Sequence, residues 1–396
     1  ETDTLDGWFD SGSTHYAAME RDQGFWPATM YIEGLDQYRG WFQSSLLVAV
    51  GALGRGAPFK ECLTHGWTVD GQGRAMHKSL GNGMDPAEIF NKYGADLLRL
   101  WAGSSDYHVD VRCSDDIFKQ LSQNYLKFRN TAKFCLDNLT GFDPEQLVAA
   151  VDMQELDRWA VTRLNSLIRR VFDSYDAYEF HAVSHAINDF CVVDLSSFYF
   201  DIIKDRLYCD GENSLSRRSA QTALFLILDA MTRMFAPILA FTCEEIWLAM
   251  PHRSADDSRS VLFNCMVQPY EDYALPEDAM DRWARIAAVR SAVNGALEQA
   301  RADKTIGKSL EAEVDVTVPA EDAFLAELNT DTLADLLIVS QVRVTVGDAL
   351  SVTVAPAQGV KCARCWKVLT SVGTVAGHDT LCPRCAAVVK ALPVVE

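Results

Sequence analysis

The 396-residue chain is long enough for about two to four domains, which excludes a small module with one core. Its 48% hydrophobic and 23% charged residues are ordinary for globular proteins, so bulk disorder and a fibrous repeat are excluded. Because 36 basic and 55 acidic residues give a net charge of −19, nucleic acid cannot be held by a global basic surface, and any such contact must be local.

No membrane segment or secretory signal is predicted. The longest apolar stretch, residues 222–241, is interrupted by Asp229, Arg233 and Pro237, and the chain opens at Glu1 without a basic or apolar leader. Seven cysteines in apolar contexts are interpreted as reduced core thiols, which predicts a cytoplasmic protein: Cys62, Cys113, Cys135, Cys191, Cys209, Cys243 and Cys265.

Residues 1–110 are rich in glycine and contain short apolar runs, which is typical of a mixed α/β domain. Within them, Asp85-Pro86-Ala87-Glu88 supplies an N-cap, a proline at the first helical position and a glutamate at the third, which predicts a helix start. Residues 68–82 lead from a strand through a Gly-punctuated turn to Lys78-Ser79. A mobile loop with an ammonium group suits phosphoryl or adenylyl transfer, but a plain hairpin explains the glycines equally well.

Residues 111–275 are predicted to form an all-helical domain. Apolar residues at steps of three and four indicate helices over about 114–139, 153–176, 180–206 and 216–250, the first capped by Ser114. Pro237 should break the last helix, and the segment Thr242–Glu245 is a possible capping box for its restart. Lys127, Arg129 and Lys133 are candidate contacts to a nucleic-acid backbone, with a solvated surface as the equal alternative.

Residues 276–355 are predicted to form a small α/β domain, with a helix from Trp283 to about Ala302. The alternating runs 313–318 and 342–346 are typical of strands.

Residues 356–396 are predicted to form a zinc ribbon. Two CxxC pairs lie 16 residues apart, a spacing that suits one tetrahedral, structural Zn²⁺ bound by Cys362, Cys365, Cys382 and Cys385. Five basic residues near them suggest a polyanion contact, with a solvated surface as the alternative: Lys361, Arg364, Lys367, Arg384 and Lys390.

The segment Met76-His77-Lys78-Ser79-Leu80-Gly81-Asn82 resembles the Lys-Met-Ser-Lys-Ser signature of class I aminoacyl-tRNA synthetases, with Ala75 and His77 departing from it. Trp8-Phe9-Asp10-Ser11-Gly12-Ser13 and the run from Glu33 to Ser45 resemble the isoleucine-specific family in particular. The resemblance continues through Ile306-Gly307-Lys308-Ser309-Leu310-Glu311 and the ribbon, and so covers essentially the whole chain.

The resemblance implies a fold class and a set of partners. The expected fold is multidomain α+β: the C-terminal half of a Rossmann-like nucleotide-binding domain, an anticodon-binding helical bundle, a small α/β unit and the ribbon. The expected reaction joins isoleucine and ATP, with Mg²⁺, into isoleucyl adenylate and transfers isoleucine to tRNA(Ile). A monomer is expected. Because the His-Ile-Gly-His motif and the editing domain are absent from the sequence, we expect a C-terminal portion that is inactive alone.

The same resemblance assigns site residues. Lys78 and Ser79 are the expected catalytic residues, and Trp8 and Trp41 are expected to surround the isoleucine side chain. The expected ATP and adenylate contacts are Glu33, Gly34, Asp36, Gln37, His65, Gly66, Thr68, Met76 and Lys78. Two alternatives remain at this stage: a non-catalytic tRNA-binding protein built from the bundle and ribbon, and a valine- or leucine-specific synthetase.

Overall fold

The computed structural model describes residues 2–392, with the side chain of Lys78 outside that description. These residues form two compact units. The first unit reaches to Gln123 and takes in Tyr178–Ala182, and the second contains Asn124–Ala177 and the residues from Val183 onward. Helices and sheets both occur, which confirms the predicted α+β class. Within residues 2–392, no helix has the length and apolarity that a bilayer crossing requires.

The first unit combines short helices with two pairs of parallel strands. Its helices are α1 (Gly7–Gly12), α2 (Arg21–Gln23), α3 (Trp41–Leu47), α4 (Pro86–Tyr93) and α5 (Ala95–Ser104). Its strands are β1 (Ala28–Gly34), β2 (Phe59–His65), β3 (Thr68–Asp70) and β4 (Val111–Cys113). The helix predicted after Asp85 is present, and the Asp85 side chain accepts a hydrogen bond from the Ala87 N–H.

Strand register brings distant parts of the first unit together. β1 pairs in parallel with β2, from Ala28 opposite Phe59 to Gly34 opposite His65. β3 pairs in parallel with β4. The first residues after the predicted domain end at residue 110 are therefore a strand, not a helix. Because parallel strands end at the same edge, the residues that follow β1 and β2 emerge side by side.

The helical region has the elements α6 (Asp115–Asn138), α7 (Glu155–Asp176), α8 (Phe180–Asp189), α9 (Phe200–Cys209), α10 (Leu215–Phe235) and α11 (Ala240–Ala249). A π-helical segment, Phe190–Tyr199, joins α8 to α9. The break at Pro237 is present, but the capping box predicted at Thr242 is wrong. The Leu239 carbonyl already accepts the Cys243 N–H, so α11 restarts at Ala240 and Thr242 lies inside it.

A buried ion pair holds the helical bundle together. Asp157 is fully buried on α7 and accepts hydrogen bonds from Arg206 of α9, from the Tyr199 hydroxyl at 2.7 Å and from Ser219 of α10. Each carboxylate oxygen thus has a donor, as a buried charge requires. The network fixes α9, which carries the surface on which the C-terminal ribbon packs.

The remaining part of the second unit has helices α12 (Glu277–Ala302), α13 (Thr330–Leu337) and α14 (Pro383–Ala391), and strands β5 (Ala312–Val318), β6 (Gln341–Val346), β7 (Ser351–Pro356), β8 (Val360–Lys361) and β9 (Val368–Leu369). The order of the larger sheet is β6-β5-β7, with β5 parallel to β6 and antiparallel to β7. The sequence prediction missed β7 and began α12 six residues too late, because Pro276, rather than a residue near Trp283, precedes its first turn.

Candidate active site and zinc centre

The carboxyl ends of β1 and β2 bring together several predicted adenylate contacts. Gly34 lies opposite His65, and a Cβ placed on Gly34 would be 3.8 Å from the His65 Cε1 and 2.7 Å from the Asp36 Oδ1. Glu33 lies one residue earlier and is exposed. His65 Nδ1 lies 2.8 Å from the Gly66 carbonyl oxygen. The resulting edge is open, carries carboxylates and permits close backbone approach at Gly34.

Trp41 and Gln37 are fixed at the start of α3. The Trp41 N–H donates to the Gln37 side-chain oxygen at 3.0 Å, and the indole N–H donates to the Ser11 carbonyl at 2.9 Å. One face of the Trp41 ring stacks on Tyr31, with ring centroids 4.5 Å apart. These contacts hold the Trp41 ring in one position and leave it partly buried.

Trp8 lies on α1, close to the same helix start. A Cβ on Gly40 would be 3.6 Å from the Trp8 Cη2, and about half of the Trp8 side chain (49%) is exposed. A Cβ on Gly12 would approach the Ser44 backbone carbon to 2.7 Å, so glycine is needed where α1 passes α3. Trp8 and Trp41 therefore belong to one packed helix pair, with Trp8 offering free surface.

Gly66 and Thr68 lead from β2 into β3. The Gly66 N–H donates to the Tyr107 carbonyl at 2.8 Å, and a Cβ at Gly66 would be 2.4 Å from the Val109 carbonyl carbon. No other residue fits there without moving the backbone. Thr68 pairs with Val111 at the start of the second parallel pair, which fixes the direction in which the following loop leaves.

The signature loop, residues 70–82, is held closed by two side chains to which the sequence analysis assigned no role. The Asp70 carboxylate accepts from the backbone N–H groups of Gln72 and Arg74, from the Arg74 side chain at 2.8 Å and from the Asn82 amide at 3.0 Å. The Asn82 amide also donates to the Ala75 carbonyl, and its oxygen accepts the His77 N–H. These bonds, chiefly that from Asn82, lower the pKa of Asp70, so the carboxylate stays charged.

The residues of the signature itself lie between these anchors. Met76 is partly buried and packs against a cluster formed by Ile89, Cys113 and Phe118. Lys78–Leu80 form one turn of 3-10 helix, and Ser79 is exposed; the predicted role of the Lys78 side chain falls outside the described residues. The contact from His77 to the Asn82 oxygen is made by the backbone N–H. The departure of the His77 side chain from the family pattern therefore does not change this contact.

The four C-terminal cysteines form a cluster that fits one zinc ion. All four are buried, and their sulfur atoms lie within 4.8 Å of one another. The Cys365 and Cys382 sulfurs are 3.8 Å apart. Four sulfurs placed tetrahedrally about 2.3 Å from Zn²⁺ would be separated by about 3.8 Å, so the spacing matches a closed structural site. This confirms the predicted structural zinc.

Electrostatics also favour a cation in this cluster. Burial opposes ionisation of Cys362, but N–H groups of Cys365, Cys382 and Arg364 outweigh it and lower its pKa to about 6. Burial raises the pKa of Cys365 to about 11 and also raises those of Cys382 and Cys385. A dication that binds four thiolates supplies the charge compensation these buried sulfurs otherwise lack.

The free basic patch expected on the ribbon is largely absent, because most of its cations are paired inward. Arg384 pairs with Asp205 of α9, and Lys367 pairs with Asp335 of α13. Arg364 donates to the carbonyls of Tyr208 and Cys209. These contacts dock the ribbon on the second unit, so the polyanion hypothesis for this patch loses its main support.

Two of the seven cysteines expected in the core are exposed, Cys62 and Cys265. The other five are buried, and Cys209 packs directly against the zinc-ligand cysteines. Apolar neighbours in the sequence did not distinguish the buried cysteines from the exposed ones, because alternate residues of a strand face opposite ways.

Comparison with known proteins places three family models on the chain. They are "tRNA synthetases class I (I, L, M and V)" over residues 1–114, "Anticodon-binding domain of tRNA ligase" over 157–316, and "Zinc finger found in FPG and IleRS" over 359–388. The isoleucine–tRNA ligase of Syntrophotalea carbinolica is 48% identical over 98% of the chain and 43% of that protein. The one of Caldanaerobacter subterraneus subsp. tengcongensis is 45% identical with the same coverage.

Among solved structures, the fold matches a LeuRS from Agrobacterium radiobacter K84, solved in a ternary complex with tRNA and LeuAMS. The TM-score is 0.54 at 17% identity, over 90% of this chain and 37% of that one. The chain spans less than half the length of the curated relatives it matches.

Proposed function

Because this chain belongs to the class I aminoacyl-tRNA synthetases, on the isoleucine–tRNA ligase branch, we propose that the protein carrying it activates isoleucine with ATP and transfers it to tRNA(Ile). The observation that carries the proposal is the edge at the carboxyl ends of β1 and β2, where Gly34 and His65 lie side by side. Ligands of open parallel sheets bind at this edge. The adenylate would lie there, with the Glu33 and Asp36 carboxylates near the substrate ammonium.

The signature loop supplies the groups for activation. Lys78 would stabilise the pyrophosphate as charge builds on it, and Ser79 and Met76 would lie beside the nucleotide. Gly66, Thr68 and His65 would border the adenosine. The Asp70–Asn82 contacts support this proposal, since they fix the position of the loop that carries residue 78. Mg²⁺ would accompany ATP and neutralise its phosphates.

Isoleucine selection would rest on Trp41 and Trp8. The Trp41 indole, held by Tyr31 and Ser11, would form an apolar wall, and the exposed surface of Trp8 would form another. Gln37 would act by holding the Trp41 backbone. The helical region would hold tRNA(Ile), with the ribbon docked on it through Arg384 and Asp205. The buried reduced cysteines fit a cytoplasmic protein, and we propose that it acts as a monomer.

Substrate choice tests the proposal. With isoleucine, the protein that carries this sequence should catalyse ATP–pyrophosphate exchange with a kcat/KM at least about 10-fold above that with leucine or valine, since the proposed pocket of Trp8 and Trp41 would fit one branched side chain best. Trp41→Ala should raise the KM for isoleucine and leave the KM for ATP nearly unchanged, whereas Phe25→Ala, a change at an exposed aromatic residue before the N-terminal end of β1, should alter neither.

Two results would overturn the assignment. Exchange that is fastest with leucine or valine would move the protein to another branch of the family. Unchanged isoleucine kinetics in Trp41→Ala would show that this tryptophan only packs against Tyr31 and does not form the pocket.

A further inference from the structure

Tyr31 of β1 lies behind the Trp41 ring and is almost fully buried. Its side chain is 4% exposed, and its ring stacks on that of Trp41 with the two planes 16° apart. The ring centroids of Phe42 and Phe59 lie 5.8 and 4.8 Å from the Tyr31 centroid. Tyr31 therefore belongs to the aromatic cluster that supports Trp41 from the side away from the solvent.

The Tyr31 hydroxyl meets a polar partner inside this cluster. It lies 2.9 Å from the Ser45 hydroxyl oxygen on α3, and Ser45 is fully buried. Burial raises the pKa of Tyr31, so its hydroxyl is neutral, and either of the two groups can donate the hydrogen bond. A buried hydroxyl needs a partner, and here Tyr31 and Ser45 supply it to each other.

The Tyr31 side chain spans one turn of α3. Trp41 and Ser45 are four residues apart on this helix, so they lie on the same face, and Tyr31 contacts the first with its ring and the second with its hydroxyl. Apolar packing is non-directional, whereas a hydrogen bond holds two atoms at a defined distance and angle. The Tyr31–Ser45 bond therefore fixes the position of Trp41 relative to β1, the strand that ends at Gly34.

We propose that Tyr31 is a positioning residue for isoleucine selection, because its bond to Ser45 sets the depth of the pocket wall that Trp41 forms. Isoleucine and valine differ by one methylene, so a wall that distinguishes them must keep its position to within less than the size of that group. Valine makes fewer contacts with the wall and depends less on its position. This inference rests on the proposed function, which supplies the substrate and the role of Trp41.

Tyr31→Phe keeps the stacked ring and removes only the hydroxyl. In the protein that carries this sequence, the KM for isoleucine should rise about 3- to 10-fold, the effect of losing one neutral hydrogen bond. The kcat and the KM for ATP should change less than about 2-fold, because the reacting groups are untouched. The ratio of kcat/KM for isoleucine to that for valine should fall about 3-fold, since valine depends less on the wall. ATP–pyrophosphate exchange measures all of these quantities.

Ser45→Ala removes the same bond from the other side, and the double variant separates positioning from stability. Each single variant leaves one buried hydroxyl unpaired and should lower the melting temperature by about 3 to 6 °C. The double variant has neither hydroxyl, so its melting temperature should return to within about 2 °C of the parent value. Its isoleucine-to-valine ratio should stay as low as in the single variants, because the bond that holds the wall is still missing.

Tyr175→Phe is the matched control. It removes the hydroxyl of another partly buried tyrosine, which donates to the Met234 carbonyl at 2.8 Å. That bond lies in the second unit, whereas Tyr31, Trp41 and Ser45 belong to the first. The isoleucine kinetics and the isoleucine-to-valine ratio of this variant should therefore stay at the parent values, even where its melting temperature falls.

The inference fails on any of three results. A parent-like KM and ratio in Tyr31→Phe would show that the hydroxyl does not position the wall. Recovery of the ratio together with the melting temperature in the double variant would show that the bond contributes stability alone. Equal losses in Tyr175→Phe would show a general effect of destabilisation. The proposed function stands in all three cases if the parent activates isoleucine, and it falls separately if the parent does not.

Discussion

Cys382→Ser should release the zinc ion and unfold the ribbon while leaving the first unit folded. Zinc supplies about 10–16 kcal/mol of apparent folding free energy to small cysteine sites, far more than a segment with one pair of short strands and one helix gains by burial. Bound zinc should drop from one ion per chain to none, and amides of residues 359–388 should exchange rapidly. Charging of tRNA should fall at least about 10-fold, whereas isoleucine activation should remain largely intact.

Cys209→Ser is the control for this change. Cys209 packs against the four ligands but lies outside the metal-ligand set, so its serine variant should retain zinc and ribbon protection. A Cys382→Ser protein that loses zinc but charges tRNA at the parent rate would show that the ribbon is dispensable. Equal loss of pyrophosphate exchange would show instead that the ribbon supports the catalytic fold.

Lys78→Ala should lower the rate of isoleucine activation about 100- to 1,000-fold, the usual effect of removing a group that stabilises charge developing in the transition state. The KM for ATP should change much less, because the ammonium acts on the leaving pyrophosphate more than on bound ATP. Pyrophosphate exchange and single-turnover adenylate formation measure the two quantities separately.

Two further variants make this prediction specific. Lys60→Ala removes an exposed cation on β2 outside the loop and should leave the rate unchanged. Asn82→Ala removes the anchor to Asp70 and Ala75 but keeps the lysine, so its loss should be intermediate, about 10-fold. An unchanged exchange rate in Lys78→Ala would remove this residue from the mechanism.

Local sequence signals predicted the helices well, because caps and helical spacing act over a few residues. Ser114 and Asp85 begin helices where expected, with side chains that accept N–H groups of the first turn. The start of α11 was predicted in the wrong place. The helix begins with the hydrogen bond from the Cys243 N–H to the Leu239 carbonyl, and the Thr242 side chain does not cap it. β7 was missed because a strand is defined by its partner, here β5, which lies more than 30 residues away.

In the candidate site, too, local patterns were predicted and contacts between distant residues were not. The zinc ligands follow from spacing alone, since two CxxC pairs converge through local turns. Asp70 and Asn82 stand 12 residues apart, and nothing in their spacing shows that they bond to each other. The pairing of ribbon cations with Asp205 and Asp335 depends on tertiary packing, so the charge count overestimated the free positive surface.

The central claim is that the edge at Gly34 and His65 holds isoleucyl adenylate. Titration of the protein that carries this sequence with a non-hydrolysable isoleucyl-adenylate analogue tests it most directly, with Gly34→Val as the variant. A valine side chain would crowd Asp36 and His65, so we predict at least 100-fold tighter binding of the analogue than of isoleucine to the parent, and at least a 10-fold loss in Gly34→Val. Equal affinity of both proteins for the analogue would contradict the account.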